Sequence, residues 1–197
     1  MEQAGKRAAW RAAQPLPGAA AILAGVLLGI AIGIYSNEEG RTARAESCLA
    51  NARCIAYALH MYAQDHGGRL PKASGQEWVL QAYPYLRDPL AHPSFRNFNA
   101  LYCPEDREAS GGYRHAVHEI ERETGKLDYA SEAVFARMRK NGSRLTSYEM
   151  PKAVAGVRLE DIRSPAKTVI LQETEPRHDG YAAVAYADRH VEKVRGR

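Results

Sequence analysis

Residues 18–64 read GAAAILAGVLLGIAIGIYSNEEGRTARAESCLANARCIAYALHMYAQ, and two patterns meet in them. Up to Tyr35 the run is apolar on every side, and no charged side chain occurs between Arg11 and Glu38. The eighteen residues from Gly18 to Tyr35, as helix, would reach roughly 27 Å, close to the hydrocarbon thickness of a bilayer. A helix that is apolar all round needs a bilayer or complete burial. The rest of the chain is not rich enough in hydrophobes to bury it. Residues 18–36 are therefore expected to be a transmembrane helix. Lys6, Arg7 and Arg11 precede the run and Glu38 and Glu39 follow it. That places residues 1–17 in the cytoplasm and residues 37–197 outside, in a single-pass protein of the inner membrane. A cleaved signal peptide is the alternative, with Ala31 and Gly33 as small residues before the cut.

From Arg41 to Gln64 the period changes. Ala45, Cys48, Leu49, Ala52, Ile55, Ala56, Leu59 and Ala63 recur at spacings of three and four, with Arg44, Asn51 and Arg53 on the polar side. This is an amphipathic helix. Gly67, Gly68 and Pro71 stop it. Gly25, Gly29 and Gly33 lie four apart on the apolar half, a stripe of small residues that lets two helices approach closely. Self-association is one reading. The ordinary frequency of glycine in membrane helices is the other.

Further along, prolines at 71, 84, 89, 93 and 104 break the pattern, with room for one short helix around Glu77–Tyr85. Residues 111–142 are highly charged and read as a surface loop or a helix pair. The last third switches to period two. Thr168–Thr174, TVILQET, is a strand candidate, and YAAVAYA (181–187) and HVEKV (190–194) flank Asp188-Arg189 as a hairpin. The expected fold class is α+β: a long N-terminal helix, half membranous and half amphipathic, packed on a small C-terminal antiparallel sheet.

Composition narrows the function. The chain has 197 residues, 45% hydrophobic and 25% charged, with a net charge of +4. The excess of basic residues is small and scattered, unlike a nucleic-acid-binding face. Three cysteines exclude both a disulfide-dense scaffold and a four-cysteine zinc site. No phosphate-cradling glycine loop, nucleophile elbow or nucleophile–base pair is recognisable. No enzyme, small-molecule substrate or cofactor is expected.

Four blocks together resemble a family. CLANARCIAYALHMYAQDHGGRLP (48–71), LYCPED (101–106), TSYEM with the following LEDIRSPAKTVILQE, and RHDGYAAVAYADRHVEKV are similar, in that order, to the bacterial prepilin-like proteins known by an H-X9-DG motif. In the last block His178 is followed by nine residues and then Asp188. The resemblance covers roughly residues 44–106 and 145–194. It implies a pilin-like or type II secretion pseudopilin-like fold, and a structural role in a cell-envelope fibre or secretion assembly, with pseudopilin-like subunits as partners. Two positions depart from the pattern. Arg189 stands where the motif has glycine. Taking Gly18 as the cleavage glycine puts Leu23 where prepilins carry glutamate. An uncleaved anchored binding or adaptor module is thus a second reading.

Cys48 and Cys54 are six apart on one helix, so their Cα atoms would lie roughly 9 Å apart along the axis, beyond the ~7 Å reach of a disulfide. Cys103 is free to pair with either. Cys48 lies on the apolar stripe and matches the family's cysteine position, so the resemblance favours Cys48–Cys103. Three buried thiols are the alternative. His178, Asp188 and Glu173 are the candidates for a divalent cation, or for a metal-dependent enzyme, because imidazole and carboxylates are cation ligands. The structural alternative is that Asp188 accepts backbone N–H groups in its own turn and His178 bonds a backbone group.

Overall fold

The structure is a computed structural model that describes residues 17–87, 98–125 and 132–196. The N-terminal residues 1–16 of the expected cytoplasmic segment lie outside the described residues. The chain divides into two units, Met1–Thr42 and Ala43–Arg197. Helix α1 spans Pro17–Asp65. It is followed by α2 (Val79–Arg87), α3 (Arg107–Thr124) and α4 (Glu132–Lys140). Four strands follow: β1 (Tyr148–Glu149), β2 (Val169–Glu173), β3 (Tyr181–Tyr186) and β4 (Val191–Arg195).

The α+β class stands, but the membranous half of the expected architecture does not. Among the described residues no helix is long and apolar enough to cross a membrane. The transmembrane assignment, and with it the single-pass inner-membrane placement, is corrected accordingly.

The second unit is built around the stripe on α1. Cys48, Ala52, Ile55, Ala56, Leu59 and Ala63 are all buried. The first five join Trp78, Val79 of α2, Tyr113 and Val117 of α3, Phe135 of α4 and Ile170 and Leu171 of β2 in one hydrophobic core. The charged stretch 111–142 contributes to that core, because α3 and α4 each have one apolar face. Ala109, Tyr113, Ala116, Val117 and Ile120 of α3 are buried, as are Val134, Phe135 and Met138 of α4. Outside, Arg137 spans the pair with a two-pronged bond to Glu123. Gly112 permits the close approach at this end: a Cβ there would lie 2.7 Å from the Ser143 side chain.

The sheet is an antiparallel meander in the order β1-β2-β3-β4. It has one strand more than the three expected, since β1 is only two residues long and carries no readable period. Tyr148 in β1 ties the sheet to α1. Its ring is fully buried, its hydroxyl donates to the Cys48 carbonyl at 3.1 Å, and its own carbonyl accepts the Trp78 indole N–H at 3.3 Å. The β3–β4 connection differs from the expected two-residue turn. The Arg189 N–H donates to the Tyr186 carbonyl and the Tyr186 N–H to the His190 carbonyl, enclosing residues 187–189. Arg189 has φ 76°, so the loop is a turn ending in one left-handed residue, where glycine is preferred.

Candidate functional site

Four side chains from separate parts of the chain converge in the interior. Cys48 comes from the apolar stripe of α1, Cys103 from the segment before α3, Glu173 from the end of β2, and His178 from the link between β2 and β3. Their Sγ, carboxylate oxygen and ring nitrogen atoms all lie within 4.8 Å of one another. Both cysteines are 0% exposed, and the side chains of Glu173 and His178 are 1% and 7% exposed. Cys103 Sγ lies 2.7 Å from Cys48 Sγ and 3.3 Å from His178 Nε2, and His178 Nε2 lies 3.5 Å from Glu173 Oε1.

Local structure holds each member in place. The helical period turns Cys48 inward. Ser147 accepts the Cys103 backbone N–H through its hydroxyl at 2.9 Å. Glu173 Oε2 accepts the Ala183 N–H at 2.6 Å, which anchors one carboxylate oxygen to the neighbouring strand and leaves Oε1, a buried atom with no hydrogen bond, toward the cluster. The far side of the His178 ring, Nδ1, faces Glu105 Oε2 at 3.4 Å, and Arg44 holds that glutamate by its other oxygen at 3.0 Å. The Cys48 thiol is driven strongly up from its ordinary pKa by its bond with Cys103, by burial and by the nearby Glu173 carboxylate. An uncharged Cys48 is therefore the form favoured in this setting without a cation.

Asp106 sits beside this cluster and is 1% exposed. It caps α3 by accepting the Ala109 N–H at 3.1 Å, and it holds Arg144 at 2.8 Å and Arg177 at 3.1 Å. Arg177 immediately precedes His178, so this ion pair restrains the link that carries the histidine. A groove of about 610 Å³ reaches Cys103 and is lined also by Ser47, Asn51, Tyr102, Arg107 and Arg114.

The residues expected from sequence separate into two places. His178 and Glu173 meet, and Cys48 and Cys103 meet them, with both sulfurs as free thiols. Asp188 does not join. It lies in the β3–β4 turn, where its Oδ1 accepts the His190 N–H at 3.1 Å and lies 2.5 Å from His190 Nδ1. The reason is the intervening strand: the six residues of β3 extend about 20 Å. Gly25, Gly29 and Gly33 have open space where a Cβ would stand. His115 and His118 remain on the exposed face of α3, paired with Glu119 and Glu121. Asp65 and His66 close α1, the first accepting the Tyr85 hydroxyl and the second set against the Tyr62 carbonyl.

Sequence reasoning missed Cys48 and Cys103 as partners of His178, and it missed Glu105 and Asp106 altogether. The signal for Asp106 was present: an aspartate directly before a helical stretch is a strong N-cap. No family model, curated protein or solved structure matches the chain.

Proposed function

We propose that this chain is a structural, pseudopilin-like subunit without catalytic activity, which assembles with further copies of itself. The observation that carries the reading is on the first unit. Val26, Leu27, Leu28, Ile30 and Tyr35 of α1 are 54–65% exposed. Fully burying one large aliphatic side chain contributes about 1.5–3 kcal/mol, so a run of this kind favours being covered by another surface. A second copy fits as the occupant. Gly25, Gly29 and Gly33 leave open space along the same stretch, which permits close backbone approach between identical helices. The order of the four sequence blocks supports the pseudopilin-like reading, as a component or accessory of a secretion or pilus-like assembly. The closed nature of the Cys48–His178 cluster supports a structural role over turnover.

The test is the mass of the purified full chain in solution by light scattering across a dilution series. The expected outcome is a dimer or larger species. Leu27→Glu combined with Ile30→Glu should convert it to a monomer while its circular dichroism is retained. A full chain that is monomeric at every concentration would remove the proposal.

A further inference from the structure

We propose that Cys48, Cys103, Glu173 and His178 bind one divalent cation of the zinc class, through Cys48 Sγ, Cys103 Sγ, Glu173 Oε1 and His178 Nε2. Donor chemistry sets the class of metal. Two sulfurs and an imidazole suit a borderline-soft ion, whereas calcium and magnesium take oxygen ligands. The number of donors also fits, since structural zinc is held by four ligands in a tetrahedron.

Distances agree with that geometry. Zinc bonds of about 2.3 Å to sulfur and about 2.0–2.1 Å to nitrogen place tetrahedral ligands roughly 3.3–3.8 Å apart. The sulfur–nitrogen and nitrogen–oxygen separations are 3.3 and 3.5 Å. The two sulfurs, 2.7 Å apart, must open by about 1 Å. The unpaired Glu173 Oε1 gives an independent pointer. A buried carboxylate oxygen without a hydrogen bond is costly, and a cation among these four atoms would satisfy it. The surroundings match a metal site as well. A histidine ligand ordinarily turns its second ring nitrogen toward a carboxylate, and His178 Nδ1 has Glu105 there. A groove lined in part by Cys103 adjoins the cluster.

Such a site has a structural consequence. It joins α1, the segment before α3, the end of β2 and the β2–β3 link at one point. With four protein ligands it keeps no open coordination position, which is the arrangement of structural rather than catalytic zinc. Zinc-class ions are held by the thiolate form of cysteine, so protons compete with the metal and affinity should fall as the pH is lowered. A Cys48–Cys103 disulfide would consume both sulfur ligands and is the competing state of the same four residues.

The experiment is a cobalt titration of the full chain, reduced and freed of metal by a chelator, followed in the ultraviolet and visible. The expected result is one equivalent bound, with a thiolate-to-cobalt charge-transfer band and the intense visible bands of tetrahedral cobalt, both abolished by zinc. Cys48→Ser and His178→Gln should remove these bands, and Cys54→Ser should retain them. Glu105→Gln should weaken binding by about tenfold without unfolding the domain. The wild-type charge-transfer band reports sulfur ligation even if a ligand variant misfolds. A folded chain with three titratable thiols and no cobalt bands would overturn the proposal. So would cobalt binding that survives Cys48→Ser, or a Cys48–Cys103 disulfide in protein isolated with its thiols blocked at lysis.

Discussion

His178 and Asp188 are the two ends of one spaced motif, yet they occupy opposite surroundings. The His178 side chain is 7% exposed, wedged among Cys103, Glu173 and Glu105. Asp188 stands in an exposed turn and bonds its close neighbour His190. One strand, β3, separates them, and it acts as a spacer between an interior junction and a surface turn. The comparison teaches that constant spacing in sequence can mark two separate devices rather than one site. Here one device closes the interior and the other reverses the chain.

The largest effect expected from this contrast is on stability at the interior end. His178→Ala leaves a void among buried side chains and removes the imidazole 3.5 Å from Glu173 Oε1, at a cost of about 2–4 kcal/mol. His190→Ala, on the exposed turn, should change stability by no more than about 0.5 kcal/mol. Urea denaturation of both variants under the same metal and reducing conditions makes the comparison. Equal losses would mean that the two histidines are not in different environments, and the distinction between the ends would fall.

A smaller effect concerns the turn alone. Arg189 has φ 76°, and its guanidinium lies over the Tyr57 ring at 5.3 Å. Arg189→Gly and Arg189→Ala both lose that ring contact, so their difference isolates the backbone. At an ordinary position glycine is the less stable of the two by roughly 0.5–1 kcal/mol. The left-handed conformation costs a residue with a Cβ about 1–2 kcal/mol. The order should therefore reverse here, with Arg189→Gly more stable than Arg189→Ala by about 1 kcal/mol. Chemical denaturation of the two variants checks the sign, and an alanine variant at least as stable as glycine would argue against the turn described.

What was legible in the sequence follows from which interactions leave a local pattern. The buried stripe from Ala45 to Ala63 was readable because a helix repeats its inward positions every three or four residues. β2, β3 and β4 were readable through strand alternation and the turn residues between β3 and β4. β1 was not, since Tyr148 and Glu149 are too few to show any period. The extent of the turn was misjudged by one residue because Ala187 has no turn signature of its own. The apolar run before Tyr35 led to a membrane assignment, whereas among the described residues no helix is long and apolar enough to cross a membrane. For the cluster, local sequence carried half of the answer. His178 and Glu173 stand close in sequence, and Asp188 was grouped with them on that ground. Cys48 and Cys103 are 55 residues apart, and only the packing of α1 against the sheet brings them to His178.

The smallest effect tests whether the turn is coupled to α1. His60 on α1 has a buried ring nitrogen, Nε2, without a hydrogen bond. Burial lowers its pKa first, and the charge of Arg189 lowers it further. A hydrogen bond with the Ala187 backbone and the Asp188 carboxylate push it back up. The net direction is down from the ordinary value of 6.5. The unfolded chain therefore takes up a proton at His60 before the folded chain does. The associated stability is present above about pH 6.5 and is lost as the pH falls through that value toward the folded pKa. Comparing wild type with His60→Gln between pH 7.5 and about pH 5 cancels the other titrating groups to first order. The wild type should lose more stability on acidification than the variant. Arg189→Ala removes one of the two downward pushes, so it should bring the two pH curves closer together. If His60→Gln and wild type fall in parallel, the turn and the helix are not coupled through this histidine, and the surface device stands apart from the core on both its sides.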